Sequence, residues 1–158
     1  MADTIKFQCN LDRFDVGVYG IPVKEKADTS IPLGFEVLLN GKSVCKIDHV
    51  RDACQIAFDI DDSELSHKIQ FVMFGKTADH TKIDDQGNIT SDALLRITNI
   101  VIDDIDISLL LNPKSIYSHN FNGSQSEIED KFYGDMGCNG TVTFEFTTPF
   151  YLWLLENM

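Results

Sequence analysis

Hydrophobic and polar positions alternate with period two along much of the chain. Ile5, Phe7 and Cys9 share one face, with Lys6, Gln8 and Asn10 opposite. Phe35, Val37 and Leu39 repeat the pattern and run into Asn40-Gly41, a type I′ hairpin signal, with Ser43–His49 as the returning strand. Cys54, Ile56, Phe58 and Ile60 alternate with polar or small neighbours, as do Val142, Phe144 and Phe146. Such segments read as antiparallel strands with one face on a core and one in water. Ile69–Phe74 and Leu94–Ile102 are apolar on both faces, as expected of central strands or of strands covered by a loop or a partner. The phase then slips: Ile100 and Ile102 are even positions, Ile105 and Ile107 odd ones, so a turn or bulge is expected at Asp103-Asp104.

Gly-, Pro- and Asn-rich stretches mark loops at Gly20–Pro32, Gly75–Asp92 and Asn112–Asp135. The last two are long enough to imply function or packing against something. Helical periodicity is weak, and short helices are allowed only at Ser126–Phe132 and Pro149–Glu156. The pattern predicts an all-β chain: a single antiparallel β-sandwich domain of jelly-roll or Greek-key type over residues 1–158, with at most one or two short helices.

Composition narrows the setting. With 158 residues, 43% of them hydrophobic, the chain can bury a core without staples. A net charge of −12 argues against phosphate-directed nucleic-acid binding and against adsorption to anionic membranes. The opening Met-Ala-Asp-Thr-Ile-Lys has no basic region followed by an apolar run, so no secretory signal is expected. Cys9, Cys45, Cys54 and Cys138 lack CxxC spacing and read as reduced, mostly buried thiols.

The acids are 18 Asp against 7 Glu, and Asp59–Asp106 alone holds ten Asp and one Glu. Calcium takes six to eight oxygens from carboxylates, carbonyls and water. Asp84 and Asp85, in a turn with Gly87, and Asp103, Asp104 and Asp106 are the candidate ligands; otherwise they are turn residues on a solvated acidic edge. Calcium is the one candidate cofactor. Paired carboxylates could also serve glycoside hydrolysis, but no cleft is readable from the sequence. The four His are scattered, and no HExxH, GxSxG, P-loop or GxGxxG pattern occurs, so no enzymatic activity is expected. Aromatics crowd the C-terminal third. Tyr117 and Tyr133 are candidates for stacking on a ligand. Tyr151 and Trp153 share a face if Pro149–Leu155 is extended, and are candidates for a partner interface.

In Lys82–Ser108, KIDDQGNITSDALLRITNIVIDDIDIS, an apolar strand runs into a turn and a second strand. This resembles the core strands of calcium-dependent xylan-binding carbohydrate-binding modules, with Asp104 where a Gly is usual. The likeness implies a sandwich and glycan recognition; the family's calcium ligands do not transfer residue by residue. Phe121-Asn122-Gly123, Tyr133, Met136-Gly137-Cys138-Asn139-Gly140 and the run Thr148–Asn157 carry a second resemblance, to uncharacterised proteins of marine contractile-tailed bacteriophages of cyanophage type. That likeness implies a virion protein made in the host cytoplasm, in contact with other virion proteins or copies of itself. The leading expectation is therefore a non-enzymatic, virion-associated interaction module of decoration, neck, tail or fibre type. The alternative is a carbohydrate-binding module, with calcium as its candidate ion, that recognises glycans or a host surface.

Overall fold

The structure, a computed structural model, describes residues 4–17, 20–23, 28–61 and 65–158. Asp62 of the acidic segment, and residues 24–27 of the expected Gly20–Pro32 loop, lie outside the described residues. The described residues form two six-stranded antiparallel sheets. The first holds β1 (Thr4–Val16), β4 (Cys54–Asp61), β6 (Thr81–Ile83), β7 (Ile89–Ile102), β8 (Ile105–Asp106) and β11 (Asp135–Met136). Its order is β11-β7-β1-β4, with β6 and β8 folded back on β7. The second holds β2 (Gly34–Leu39), β3 (Lys42–Ile47), β5 (Ser66–Phe74), β9 (Ile116–His119), β10 (Ile128–Lys131) and β12 (Gly140–Thr147), in the order β10-β9-β12-β5-β2-β3. Among the described residues two short α-helices complete it, α1 (Ser108–Lys114) and α2 (Phe150–Asn157). The all-β sandwich read from the alternation is what the chain forms.

The alternation converts directly into packing. β1 buries Ile5, Phe7, Cys9 and Leu11 and leaves Lys6 and Asp12 exposed. Across the core, the Phe7 ring lies 6.2 Å from Phe71 of β5, which is 6.0 Å from Phe35 and 6.4 Å from Phe132. Aromatic burial of this kind dominates a core's stabilisation. Asn40 (φ 51°) and Gly41 (φ 85°) make the expected two-residue turn between β2 and β3.

The phase slip is repaired twice. Asp103 (φ 51°) and Asp104 (φ 69°) form the turn that pairs Ile102 with Ile105. Upstream, Asn99 (φ 51°) sits in a bulge where the β1 register jumps between Gln8 and Asn10. The bulge lets Ile97 and Ile100 both face the core.

Four local expectations are corrected. Ser126–Phe132 is not helical: Ile128–Lys131 pairs with β9 as an edge strand carrying Glu129, Asp130 and Lys131. β9 and β10 occupy part of the expected loop Asn112–Asp135, because Tyr117 and His119 bury one face against β12. A helix forms instead at Ser108–Lys114, where Ile107 and Leu111, four apart, are both buried. Pro149–Glu156 does form a helix, so Tyr151 and Trp153 do not share a face as an extended segment would have placed them. Among the described residues, no helix is long and apolar enough to cross a membrane.

All four cysteines are free. Burial, then Cys45 and Cys54, pushes the Cys9 thiol up to about 12. The thiolate is the nucleophile, so in the folded chain Cys9 stays in the unreactive thiol form at pH 8. Iodoacetamide at pH 8 is expected to modify Cys9 only after unfolding, as read by peptide mass. Native labelling at the rate of an exposed thiol would contradict this burial.

Candidate functional site

The site is built on β7 and the segment that crosses it. In the β7–β11 register Arg96 stands opposite Asp135. Their side chains form a fork: Nε to Oδ1 at 2.8 Å and Nη2 to Oδ2 at 3.2 Å. The guanidinium also lies over the Phe14 ring of β1, 4.2 Å from its centroid. Bidentate pairing and ring stacking together hold Arg96 in one orientation. The hydrogen bonds to Asp135 hold its pKa above the ordinary arginine value, so its charge is permanent.

Residues 132–136 present an aromatic ring to the same place. Phe132 and Met136 are fully buried, and Tyr133 between them is 73% exposed. Gly134 takes φ +106°, and its carbonyl accepts the Ile97 N–H at 2.8 Å. An anchor on each side and a backbone bond to β7 thus keep Tyr133 outside the core. The far wall comes from the Asp103-Asp104 turn, which returns the chain so that Asp106 pairs with Val101. Asp106 Oδ1 accepts the Ser108 N–H at 2.9 Å, and Ser108 Oγ accepts the Ile100 N–H at 3.1 Å. The resulting cleft is open, about 460 Å³ in volume, with the bulged Thr98-Asn99 at its edge. It offers one aromatic face, two carboxylates with spare lone pairs, and guanidinium and amide groups.

Two residues singled out in the sequence, Tyr133 and Asp106, meet here, although they were assigned different roles. The other acids go elsewhere. Asp84 Oδ1 accepts the Gln86 and Asn88 N–H groups at 2.9 Å each and closes the turn before β7, with exposed Asp85 beside it. Those hydrogen bonds, Asn88 foremost, hold the Asp84 carboxyl below its ordinary range. Asp103 and Asp104 follow the other end of β7, a strand of 14 residues. At about 3.3 Å per residue the two groups are roughly 40 Å apart. The single acidic loop edge expected from the sequence is therefore two ends of one strand. Among the described residues, no three His, Cys, Asp or Glu side chains come together as a metal site.

Tyr117 is not available for stacking. It is buried on β9, its hydroxyl donating to the Cys138 carbonyl and accepting the Cys138 N–H at 2.9 Å. Burial pushes its pKa upward. Trp153 is 7% exposed, covered by this chain's own Phe144, Phe146 and Phe150 rings at 5.7–6.2 Å. Tyr151 is 53% exposed and donates its hydroxyl to Asp103 Oδ2 at 2.7 Å. Sequence reasoning missed Arg96 and Asp135, which line the cleft, and Phe14, which backs Arg96 from β1. Their association depends on register between segments distant in sequence, and no local motif announces it.

No protein-family model and no curated protein matches the chain. Among solved structures, the chain resembles vCBM60 in complex with galactobiose, at TM-score 0.46 and 10% identity, over 88% of this chain and 96% of that one. What the cleft can hold is decided by its own side chains.

Proposed function

We propose that this chain is a carbohydrate-binding module and that the saccharide lies in the Tyr133 cleft. The observation that carries the reading is an exposed tyrosine ring held rigidly beside the Arg96–Asp135 fork and Asp106. A sugar ring has C–H faces that pack on an aromatic ring and edge hydroxyls that both donate and accept. The open cleft suits a chain end or an exposed residue of a glycan. Asp135 is committed to Arg96 and Asp106 to the Ser108 N–H, so the two free acids of a glycosidase are not assembled here.

The test is a glycan array followed by calorimetry on the strongest hit. Tyr133→Ala is expected to weaken binding about tenfold or more, equivalent to roughly 1.4 kcal/mol. The melting temperature should stay within a degree or two of the parent's, because an exposed side chain contributes little to folding. In this reading the tyrosine ring, the fork and Asp106 make the contacts, so binding is expected to survive a chelator. An array without signal, or a Tyr133→Ala variant that binds as the parent does, would sink the proposal.

A second reading is favoured by α2, whose Tyr151, Leu152 and Leu155 are exposed, as is Met158 just beyond its end. A contiguous apolar strip on a helix suits an interface. It supports a virion-associated module covered by other particle proteins or by copies of itself. Mass spectrometry of purified particles decides this: the chain present in structural amounts supports it, and its absence removes it.

A further inference from the structure

The charges around the Tyr133 cleft do not cancel. Arg96 has a carboxylate on each side: Asp135 opposite it in the β7–β11 register and exposed Asp12 opposite it in the β1–β7 register. Asp106 adds a third at the far wall. Arg96 is the one cation among the described residues that line the cleft. One guanidinium against three carboxylates leaves the cleft and its rim with negative charge in excess. The chain's net charge of −12 adds to the same field.

These groups share one face. Arg96 and Thr98 flank Ile97, and Val101 lies between Ile100 and Ile102; the three isoleucines are buried, so their neighbours stand on the outer side of β7. The Arg96–Asp135 pairing and the bond from the Ile97 N–H to the Gly134 carbonyl set Tyr133 level with Thr98. Asp106 is level with Val101. Fork, tyrosine and Asp106 therefore follow one another along the strand, with the ring in the middle. Both oxygens of Asp135 are taken by the fork. Asp106 gives only Oδ1 to the Ser108 N–H, so its Oδ2 has no protein partner among the described residues. An exposed carboxylate oxygen is left beside an exposed aromatic ring in a negatively charged cleft.

We propose that the cleft prefers hexosamines whose amino group is free and protonated, the ammonium donating to Asp106 while a sugar face packs on Tyr133, a preference that rests on the carbohydrate reading of this cleft and gives it a substrate class. An ammonium is a pure donor, and its hydrogen bond to a carboxylate is about twice as strong as a neutral one. The face of the tyrosine ring also attracts a cation. A hydroxyl in the same place makes the neutral bond only. A uronate meets the excess carboxylates, and Arg96 has already given its Nε and Nη2 donors to Asp135.

The test is a shift titration of the ¹⁵N-labelled chain at pH 6 with D-glucosamine, D-galactosamine and D-mannosamine, each against its parent hexose, with D-glucuronate as the acid and ethanolamine as an amine without a sugar ring. At least one amino sugar is expected to bind about fivefold or more tighter than its hexose, with the shifts on Thr98, Asp106, Tyr133 and Gly134. Glucuronate should be the weakest sugar, and ethanolamine should leave those amides unmoved. Asp106→Asn keeps an oxygen for the Ser108 N–H and removes the charge, so the amine-to-hexose ratio should fall to near one. Should that variant not fold, salt decides it: the ratio in the parent is expected to shrink as sodium chloride is raised. Equal Kd values for amine and hexose overturn the preference and leave the carbohydrate reading standing. A ratio that neither Asp106→Asn nor salt alters, shifts located elsewhere, or an ethanolamine response as tight as the amino sugar's also overturns it. No saturable shift with any sugar, together with an array without signal, ends both.

Discussion

Asp92→Ala is expected to lower the unfolding free energy by about 3–5 kcal/mol, because it leaves a buried ammonium uncompensated. The Lys76 side chain is 2% exposed, and its Nζ lies 2.8 Å from Asp92 Oδ1. The same Nζ donates to the Ala93 carbonyl at 2.8 Å and to the Gly137 carbonyl, so its three donors are used. Without the carboxylate two neutral carbonyls face a desolvated charge. Asp92 Oδ1 also accepts the Thr81 hydroxyl at 2.7 Å, opposite it in the β6–β7 register, so the change loosens that pairing too. The control is Lys76→Met combined with Asp92→Ala. Replacing both members of a buried pair by apolar groups costs far less than removing one, so the double variant should recover most of the loss. Urea unfolding of the parent and the two variants measures it. A loss below about 1 kcal/mol for Asp92→Ala would mean that solvent reaches the ammonium.

What could be read from the sequence was whatever rests on neighbours in the chain. Ile5, Phe7, Cys9 and Leu11 alternate over enough residues to declare a strand and its buried face. Asn40-Gly41 declares a turn because both positions need positive φ. The slip around Asp103-Asp104 required a chain reversal on steric grounds, and the structure has one there. Features that depend on a distant partner stayed hidden. β9 spans Ile116–His119, too short to show a period, and only β12 makes its inner face visible. That is why Tyr117 and Tyr133 looked alike: both are aromatic residues in polar surroundings, yet one is buried and one exposed. The acids misled for the opposite reason. Closeness along the chain suggested one cluster, but a long strand carries its two ends apart. Arg96 and Asp135, 39 positions apart, meet only through β11 register.

Gly140→Ala is expected to cost about 3 kcal/mol or more, the upper range of overpacking, although it adds a single methyl group. Gly140 begins β12 and stands opposite His119, with Thr141 opposite Ser118. A Cβ here would overlap the Ser118 carbonyl oxygen and lie 2.9 Å from His119 Cβ and 3.1 Å from the Tyr117 ring. Backbone cannot swing aside as a flexible side chain can. Nor can β9 retreat, since Tyr117 is buried and its hydroxyl is tied to Cys138. The comparison that decides the cause is Gly41→Ala. Gly41 has φ +85° but open space around its would-be Cβ, so its penalty is conformational alone, about 1 kcal/mol. The consequence reaches the cleft. β10 pairs with β9 and leads directly into Phe132 and Tyr133, so pushing β9 away releases the anchor of the aromatic platform. Gly140→Ala should therefore lose amide-exchange protection first in β9 and β10, and weaken the glycan binding proposed for the Tyr133 cleft without touching the ligand. Equal costs for Gly140→Ala and Gly41→Ala in urea unfolding would show that β9 does not lie against β12 this closely, and that the Tyr133 loop is held by something else.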